Sequence, residues 1–393
     1  MRIAVIETAP YGGLLHYSVQ LGNGLAQRGH DVDLITPRDH ELVDRPGPAR
    51  MRAVLTPTVH STAPPPPGLV AVTVKRAGVA IRLTRSWLRI LWEVARGRYD
   101  VVLLDASVDV SVAAAGAAAL TALPGGPPIV RIHHDARVFN RWGGDRRYGG
   151  SAVLMWLLRT AFERFALIFL HGERSKEEFE SHWGGTAPIA LIPHGDERGF
   201  TSDPPAPSSE QHTLFFGHWN RVKGLPVLMD AFDLVGERLP RATLTIAGAA
   251  IPRDVDVDGI RRWAAGHGGR VELIEQYVPL DDVPALFARA RTVVVPYVAG
   301  YQSGIVHLAM TMGRAVVASD IGDIGSAVIA GETGLLVPPG DAAALADALE
   351  AVLTQPELAA RMGASGRDRV MSASAWETVA ESVESNLERV VAA

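Results

Sequence analysis

The stretch PYVAGYQSGIVHLAMTMGRAVVASD, residues 296–320, begins and ends like a buried β-strand and has an apolar helical segment in between. A strand, a helix and a second strand in that order form the repeating unit of a parallel sheet. The polar residues Gln302, Ser303 and Gly304 come directly before the helix. Because α/β proteins hold phosphates where a strand passes into a helix, this junction is a candidate ligand site.

Similar short, β-branched segments recur along the whole chain, with helical patterns between them. They are residues 3–7, 31–36, 100–105, 128–133 and 167–171 in the first half, and 213–217, 242–248, 270–278, 291–297, 314–319 and 333–340 in the second. Strands that are apolar on both faces indicate parallel sheets covered by helices on both sides. A Pro- and Ser-rich stretch at 201–211 separates the two sets and is suited to a linker.

These segments predict an α/β protein with two Rossmann-like, doubly wound domains that face a cleft. We place the N-terminal domain at 1–200 and the C-terminal domain at 201–372. The remaining segment, 373–393, is expected to form a helix that packs back toward the N-terminal domain.

The composition excludes several classes of protein. The chain has 393 residues, 47% of them hydrophobic, which is enough for two cores. A net charge of −5 argues against a nucleic-acid binder, and the lack of cysteine excludes disulfides, thiolate metal sites and cysteine nucleophiles. The apolar stretch at 110–123 is too short to span a bilayer and predicts a buried helix. We therefore expect a cytoplasmic protein, at most peripheral at the inner face of a membrane.

The ends of the predicted strands carry glycines, histidines and fixed cations, which suit an anionic, phosphorylated ligand. The set comprises Gly12, Gly13, His133, His134, Gly217, Arg221, Lys223, Gln302, Ser303 and Gly304.

Each of these residues also has an ordinary structural explanation. Ser303 on its own would be a simple helix cap. His134 on its own could be a core histidine, but its place at a strand end beside Asp135 favours the site. Because side chains alternate along a strand, at most one of His133 and His134 should face the cleft. Glu7, at the end of the first strand, could reach the cleft or stay buried.

The motifs that follow one another along the chain resemble those of a known family. They are PYGG (10–13), LAQRGHDVDLITP (25–37), IPHG (192–195), FFG (215–217), VKGLPVLMDAF (222–232), LTIAG (244–248), VVVPY (293–297), GRAVVASDIG (313–322) and GETGLLVPPGD (331–341). Together, in this order, they resemble the retaining glycosyltransferases of family 4, which have the GT-B fold. The resemblance covers nearly the whole chain.

The resemblance implies a hexosyltransferase-like enzyme of cell-envelope or natural-product glycosylation. It would move a sugar from a nucleotide-sugar donor to a hydroxyl acceptor with retention. It would use no metal and no cofactor apart from the donor as co-substrate. No nucleic acid is expected among its partners.

The same resemblance assigns roles to individual positions. His134 would face the donor sugar and Lys223 would bind the diphosphate, with Arg221 supplying charge because the family's usual arginine is His218 here. The remaining donor-binding positions would be Gly12, Gly13, Gly217, Tyr277, Val278, Gln302, Ser303, Gly304 and Ile305, with Tyr277 and Val278 holding the base through backbone groups.

Two glutamates usual in the family are replaced here by Gly300 and Leu308, so the chain resembles a branch with Q-S-G at this junction. Two alternatives stay open beside the transferase, and the missing glutamates bear on the second of them. One is a nucleotide-sugar epimerase of similar fold, and the other is a non-catalytic subunit that binds sugar nucleotides.

A basic helix predicted at 75–98 raises the question of where the protein works. Arg82, Arg85, Arg89 and Arg96 fall on one stripe, and Ile81, Leu88, Leu91, Trp92 and Ala95 are expected on the far side. The helix is either an ordinary amphipathic element or an interfacial helix at a membrane, where it would serve a lipid-linked acceptor. The loop at 141–150 is expected on the acceptor side.

Overall fold

The structure, a computed structural model, describes residues 1–57, 69–108, 110–134, 152–184, 187–201, 204, 206, 208, 210–252, 254–300 and 302–393. Asp135, the expected acceptor-side loop at 141–150 and part of the expected linker at 201–211 lie outside these residues. Among the described residues, one compact unit contains 1–134, 152–195 and 376–393, and a second contains 196–375.

The first unit is built on a seven-stranded parallel sheet with the order β3-β2-β1-β4-β5-β6-β7. The strands are β1 (Arg2–Ile6), β2 (Asp31–Pro37), β3 (Arg50–Leu55), β4 (Val101–Leu104), β5 (Ile129–Ile132), β6 (Leu167–Leu170) and β7 (Ile189–Leu191). The helices are α1 (Gly13–Gln27), α2 (Leu69–Gly97), α3 (Ser111–Leu120), α4 (Ala152–Arg164), α5 (Glu173–Trp183) and the C-terminal helix, which is α13 (Trp376–Ala392).

The C-terminal helix α13 packs on α1 within the first unit. A Cβ built on Gly24 of α1 would lie 3.1 Å from Cβ of Ala380, so the glycine lets the two helices approach closely. Nε of Arg28 donates to Oε2 of Glu384 at 2.6 Å beside this contact. The last 18 residues of the chain therefore belong to the unit that the first residues begin.

The second unit is built on a six-stranded parallel sheet with the order β10-β9-β8-β11-β12-β13. Its strands are β8 (His212–Phe216), β9 (Thr243–Ala247), β10 (Val271–Ile274), β11 (Thr292–Val295), β12 (Ala315–Ser319) and β13 (Gly334–Val337). Its helices are α6 (Leu225–Arg238), α7 (Val257–Ala265), α8 (Val283–Arg289), α9 (Gly304–Thr311), α10 (Gly322–Ala327), α11 (Ala342–Thr354) and α12 (Pro356–Ala373).

Two separate apolar clusters cover the faces of this second sheet. Val294 of β11 packs in the cluster with α6 and α11, whereas Val293 and Val295 pack in the cluster with α8 and α9. Alternate residues of one strand therefore enter different cores, which explains why positions 293–295 are all apolar.

Some elements differ from the sequence prediction. The edge strands β3 and β7 were not predicted, because β3 carries Arg50 and Arg52 and β7 is only three residues long. The strand predicted at 270–278 ends at Ile274, and the helix predicted at 75–98 begins earlier, at Leu69.

The orientation of α2 also corrects a prediction. Trp87, Ile90 and Val94 are buried, whereas Ile81 and Leu88 are 53% and 60% exposed and Trp92 is 43% exposed. The prediction that these apolar residues lie on the side of the helix opposite the arginines is therefore wrong. At 100° per residue they form an exposed ridge next to the arginine stripe, because the buried face lies elsewhere on the helix. Among the described residues, no helix combines the length and the apolar character needed to cross a membrane.

Candidate active site

The loop after β8 is hydrogen-bonded to the segment that follows β11 in the second unit. It forms a 3₁₀ turn at Arg221–Lys223, and the side chain of Asn220 accepts the backbone N–H of Lys223 at 3.2 Å. The N–H of Val298 donates to the carbonyl of Val222 at 2.9 Å. Gly224 follows in the left-handed region at φ 68°, and a Cβ there would lie 1.9 Å from the carbonyl oxygen of Pro296. Only glycine allows this close approach.

This contact places Lys223 beside Tyr297. Nζ of Lys223 donates to the hydroxyl oxygen of Tyr297 at 2.6 Å and lies 3.8 Å from the centre of its ring. The same hydroxyl lies 2.9 Å from Oγ of Ser303. Tyr297 and Ser303 are both buried. The structure thus joins the ends of β8 and β11 to the beginning of α9 through one chain of polar atoms.

Ser303 occupies the N-cap position of α9, but its hydroxyl accepts no N–H of that helix. The ordinary explanation of Ser303 as a side-chain helix cap does not hold, because its hydroxyl contacts Tyr297 instead. The cap leaves the amides of Gly304 and Ile305 without an acceptor from its side chain. Helix amides of the first turn that lack such a partner are suited to an anion.

Some of the other predicted residues of the second unit lie at this junction, and others are exposed to solvent. Gly217, just after β8, lies against α9, since a Cβ built on it would be 3.8 Å from Cγ1 of Ile305. Arg221 is exposed, and Gln302 is half-buried next to Ser303. Gly217, Lys223, Ser303, Gly304 and Ile305 are therefore brought together.

Tyr277 and Val278 follow β10 and differ in burial. Val278 is 6% exposed and packs in the core cluster with α8, whereas Tyr277 is 38% exposed. The side chain of Val278 is accordingly structural. The expectation that backbone groups of these two residues hold the base stays a prediction.

Gly12 and Gly13 begin α1 in the first unit. Gly12 is in a positive-φ conformation, at φ 91°, and its N–H donates to Oε1 of Glu41 at 2.6 Å. Nε2 of His16 lies 2.8 Å from the same oxygen. The amide of Gly12 thus already has an anionic partner within the unit. The expected contact of Gly12 and Gly13 with a diphosphate stays a prediction.

The two adjacent histidines after β5 have different environments. His133 is buried between the rings of Phe162 and Phe179, each with its centroid 5.4 Å away. Burial, together with the positive charge of Arg131, lowers the pKa of His133 well below its ordinary value. His134 instead bonds Oδ1 of Asp105 at 2.7 Å. The alternation expected from the strand is observed, with His133 in the core.

Glu7 is buried directly after β1. Its Oε1 accepts the N–H groups of Thr8 and Ala9, each at 2.6 Å, and the side chain is 1% exposed. Burial, and then the negative charge of Asp105, raises the pKa of Glu7 to about 8. Glu7 is therefore largely protonated at neutral pH.

Three polar residues with direct contacts were missed by the sequence analysis, namely Tyr297, Asp105 and His171. Asp105 and His171 are the first residues after β4 and β6, and Tyr297 is the second after β11. Their position at carboxyl ends of strands is the signal that could have found them. Within the described parts of the chain, no group of three or more His, Asp or Glu side chains is arranged to hold a metal ion. Metal independence stays a prediction.

The two sheets and the uncapped junction at α9 define a two-domain α/β protein with a site suited to an anion. Residues 11–196 match the family model Glycosyltransferase Family 4, and residues 210–355 match the model Glycosyl transferases group 1. The chain therefore belongs to the family 4 glycosyltransferases. The resemblance noted in its motifs is confirmed; the Q-S-G branch stays a prediction.

Curated relatives are similar to this chain over different lengths. A glycogen synthase from Mycobacterium tuberculosis H37Rv is 32% identical over 241 residues, which cover 58% of this chain and 54% of the relative. The chain thus spans about half the length of that relative. A phosphatidyl-myo-inositol mannosyltransferase from Mycolicibacterium smegmatis is 27% identical over 389 residues, 94% of this chain and 89% of the relative.

Solved structures share the fold. A sucrose-phosphate synthase from Thermosynechococcus elongatus has a TM-score of 0.75 at 21% identity, covering 100% of this chain and 99% of its own. HepE from Anabaena, solved with UDP-glucose, has a TM-score of 0.73 at 17% identity, covering 99% of this chain and 100% of its own. The predicted GT-B fold is confirmed by these neighbours.

Proposed function

We propose that this protein is a retaining glycosyltransferase that moves a sugar from a nucleotide-sugar donor to a hydroxyl acceptor. The observation that carries the proposal is the chain from Lys223 through Tyr297 to Ser303 at the beginning of α9. A lysine, a polarised hydroxyl pair and a helix N-terminus with an unused cap together suit the diphosphate of such a donor. The transferase names of the relatives, and the UDP-glucose in the HepE structure, support this choice of ligand.

The chemistry follows from the charge that develops during transfer. When the bond between the anomeric carbon and the diphosphate oxygen breaks, negative charge grows on that oxygen. Lys223, the amides at the beginning of α9 and the exposed Arg221 would stabilise it. Loss of one preorganised donor of this kind costs roughly 3 kcal/mol in other enzymes, so this set would lower the barrier without a metal.

Retention is compatible with a front-side reaction. The acceptor oxygen forms its bond to the anomeric carbon on the side that the diphosphate leaves. The acceptor's proton passes to a phosphate oxygen of the departing group. This step needs no separate protein base, so the reaction requires from the protein mainly orientation and charge stabilisation.

The acceptor is proposed to be linked to a lipid, with the protein bound peripherally at a membrane surface. The ridge of Ile81, Leu88 and Trp92 on α2 is exposed. The guanidinium carbons of Arg89 and Arg96 lie 4.2 and 4.9 Å from the centre of the Trp92 ring. An exposed apolar ridge beside several arginines suits an anionic lipid surface. The name of the mannosyltransferase relative agrees with a lipid acceptor.

A donor screen tests the proposed activity. Nucleoside diphosphates are first ranked by thermal shift, because a ligand at 100 times its dissociation constant adds about 2.7 kcal/mol of stability. The corresponding nucleotide sugars are then incubated with the protein, and released nucleoside diphosphate is measured. Because water can take the sugar when no other acceptor is present, slow release of nucleoside diphosphate by hydrolysis, without isomerisation of the sugar, is expected. Isomerisation without release would favour an epimerase, and binding without either reaction would favour a non-catalytic subunit.

A further inference from the structure

Three side chains form a continuous chain of hydrogen bonds along the carboxyl edge of the first sheet. Oδ1 of Asp105 lies 2.7 Å from Nε2 of His134. Nδ1 of His134 lies 3.1 Å from Nε2 of His171, and Nδ1 of His171 lies 3.3 Å from the carbonyl oxygen of Ile192. The strand register explains the second contact, because Ile132 pairs with Phe169 and the two histidines each follow two residues later.

This row of three hydrogen bonds needs a definite number of hydrogens. A carbonyl oxygen only accepts, so Nδ1 of His171 must carry a hydrogen. Each of the other two contacts also needs one hydrogen between its atoms, which makes three in total. An ionised Asp105 with two neutral imidazoles supplies two. On this count the three contacts need one proton more than an ionised Asp105 and two neutral imidazoles carry.

The surroundings restrict the movement of these three side chains. Oδ2 of Asp105 accepts the hydroxyl of Ser18 at 2.5 Å. The ring of Tyr17 stands edge-on to His134, with centroids 4.9 Å apart, and to His171, at 5.4 Å. The side chains therefore have little freedom to rotate away from one another.

Five titratable groups in the described part of the chain surround these three side chains. They are Glu7 after β1, Tyr17 on α1, Arg131 and His133 at β5, and His194 after β7. Burial raises the pKa of Tyr17 and lowers that of His133, so both are neutral near pH 7, whereas Glu7, with its pKa raised to about 8, becomes negative as the pH rises above neutral. Arg131 stays charged and donates to the carbonyls of Leu104 and Ala106.

We propose that Asp105 and His171 are positioning residues for His134, and that the proton shared by the three holds the His134 ring in place for sugar transfer. The inference rests on the proposed function, because the position of His134 matters only if His134 lies at the transfer site. Without the shared proton, one of the three hydrogen bonds is lost and the ring is released. Misplacement of a reacting group by about 1 Å can reduce a rate by roughly 100-fold.

Ring-nitrogen NMR of the full chain labelled with ¹⁵N-histidine tests the shared proton without any substrate. The His134 signals are identified by their loss in His134→Gln. At neutral pH we expect the two rings of His134 and His171 to carry three nitrogen-bound hydrogens in total, or two if the shared proton sits on Asp105. This pattern should change in both Asp105→Asn and His171→Gln. Asp33→Asn is the matched control, because Asp33 is an equally buried carboxylate of the same sheet that bonds Tyr99 at 2.6 Å. Its histidine signals should stay as in the wild type.

The second readout is kinetic. Asp105→Asn should lower kcat by roughly 10- to 100-fold and shift its pH profile, with little change in KM for the nucleotide sugar. Thermal unfolding establishes that each variant is folded, and His171→Gln serves if Asp105→Asn is not. One hydrogen on each ring with an ionised Asp105 in an active enzyme would overturn the shared proton. A shared proton in a protein that transfers no sugar would instead overturn the role in transfer, together with the proposed function.

Discussion

Nζ of Lys223 lies 2.6 Å from the hydroxyl of Tyr297, although the two residues are 74 positions apart in the chain. A lysine ammonium only donates, so the Tyr297 oxygen accepts from it. When each donor is used once, the Tyr297 hydrogen then points to Oγ of Ser303, 2.9 Å away. The hydroxyl hydrogen of Ser303 is then not used by Tyr297. The contact therefore links one ammonium and two hydroxyls in a continuous row of polar atoms.

Lys223→Ala should reduce turnover by at least about 100-fold while the fold survives, because it removes the cation expected to neutralise the leaving diphosphate. Tyr297→Phe keeps the ring but removes the hydroxyl, so a smaller loss is expected. Lys176→Ala, on α5 of the other unit, is the matched control for the loss of one lysine. Steady-state kinetics of the three variants measure the effect. A folded Lys223→Ala enzyme with near-normal turnover would remove Lys223 from the site.

Gly304→Val should abolish nucleotide binding with little change in unfolding temperature. The side chain would stand at the first residue of α9, where a phosphate must approach the amides, while valine has a better helix propensity than glycine. Calorimetric titration with nucleoside diphosphates measures the binding. Gly304→Ala adds one methyl group and should weaken binding less. Equal affinity in all three proteins would place the phosphates elsewhere.

Gly224→Ala should destabilise the second unit more than Gly331→Ala does. Both glycines have positive φ, 68° and 81°, so both substitutions should cost about 1–2 kcal/mol of conformational strain. Only the Cβ at 224 would also meet a backbone oxygen, at 1.9 Å, whereas the Cβ at 331 meets no atom within 4 Å. Urea unfolding of both variants gives their losses of unfolding free energy, and the difference between the two is the cost of the steric clash at position 224. Similar losses of unfolding free energy would show that the loop at 224 relaxes freely.

Glu7→Gln should flatten the pH dependence of stability. The folded pKa of Glu7, about 8, lies above the ordinary value of 4.5, so between these pH values the folded state binds a proton that the unfolded state does not. The wild-type protein should therefore lose stability as pH rises through this window, by up to about 1.4 kcal/mol per pH unit. Unfolding free energies at pH 5 to 9 measure both slopes. An unchanged slope in the variant would mean that Glu7 is ionised in the folded protein.

The α2 surface should bind anionic vesicles at low salt, and neutral vesicles much less. Changing Arg82, Arg85 and Arg89 to Gln removes about 1 kcal/mol per residue, so roughly 100-fold weaker binding is expected. Changing Ile81, Leu88 and Trp92 to Ser should weaken binding at any salt concentration, because it removes the apolar ridge rather than the screened charges.

Sedimentation with vesicles measures this binding. Val391→Ser is the control, since Val391 is 42% exposed on α13 rather than on α2. If the wild-type protein stays in the supernatant with anionic vesicles, α2 is an ordinary solvated helix and a soluble acceptor becomes the better proposal.

The sequence by itself determined the two parallel sheets, because a strand buried on both faces must be apolar at every position. Residues 293–295 alternate between two cores and are all valine for that reason. The motif order also identified the family. The same local patterns indicated the junction at Ser303 and Gly304, since a glycine and a small polar residue before a helix are short-range features.

Only the tertiary structure decided which side chains meet. Tyr297, Asp105 and His171 contact predicted site residues through neighbouring strands, and strand order and register are not written in any local pattern. The same is true of α2, whose apolar ridge is exposed because the helix turns Trp87, Ile90 and Val94 toward the protein instead. Periodicity shows that a helix has distinct faces, but the contacts available to each face determine which one is buried.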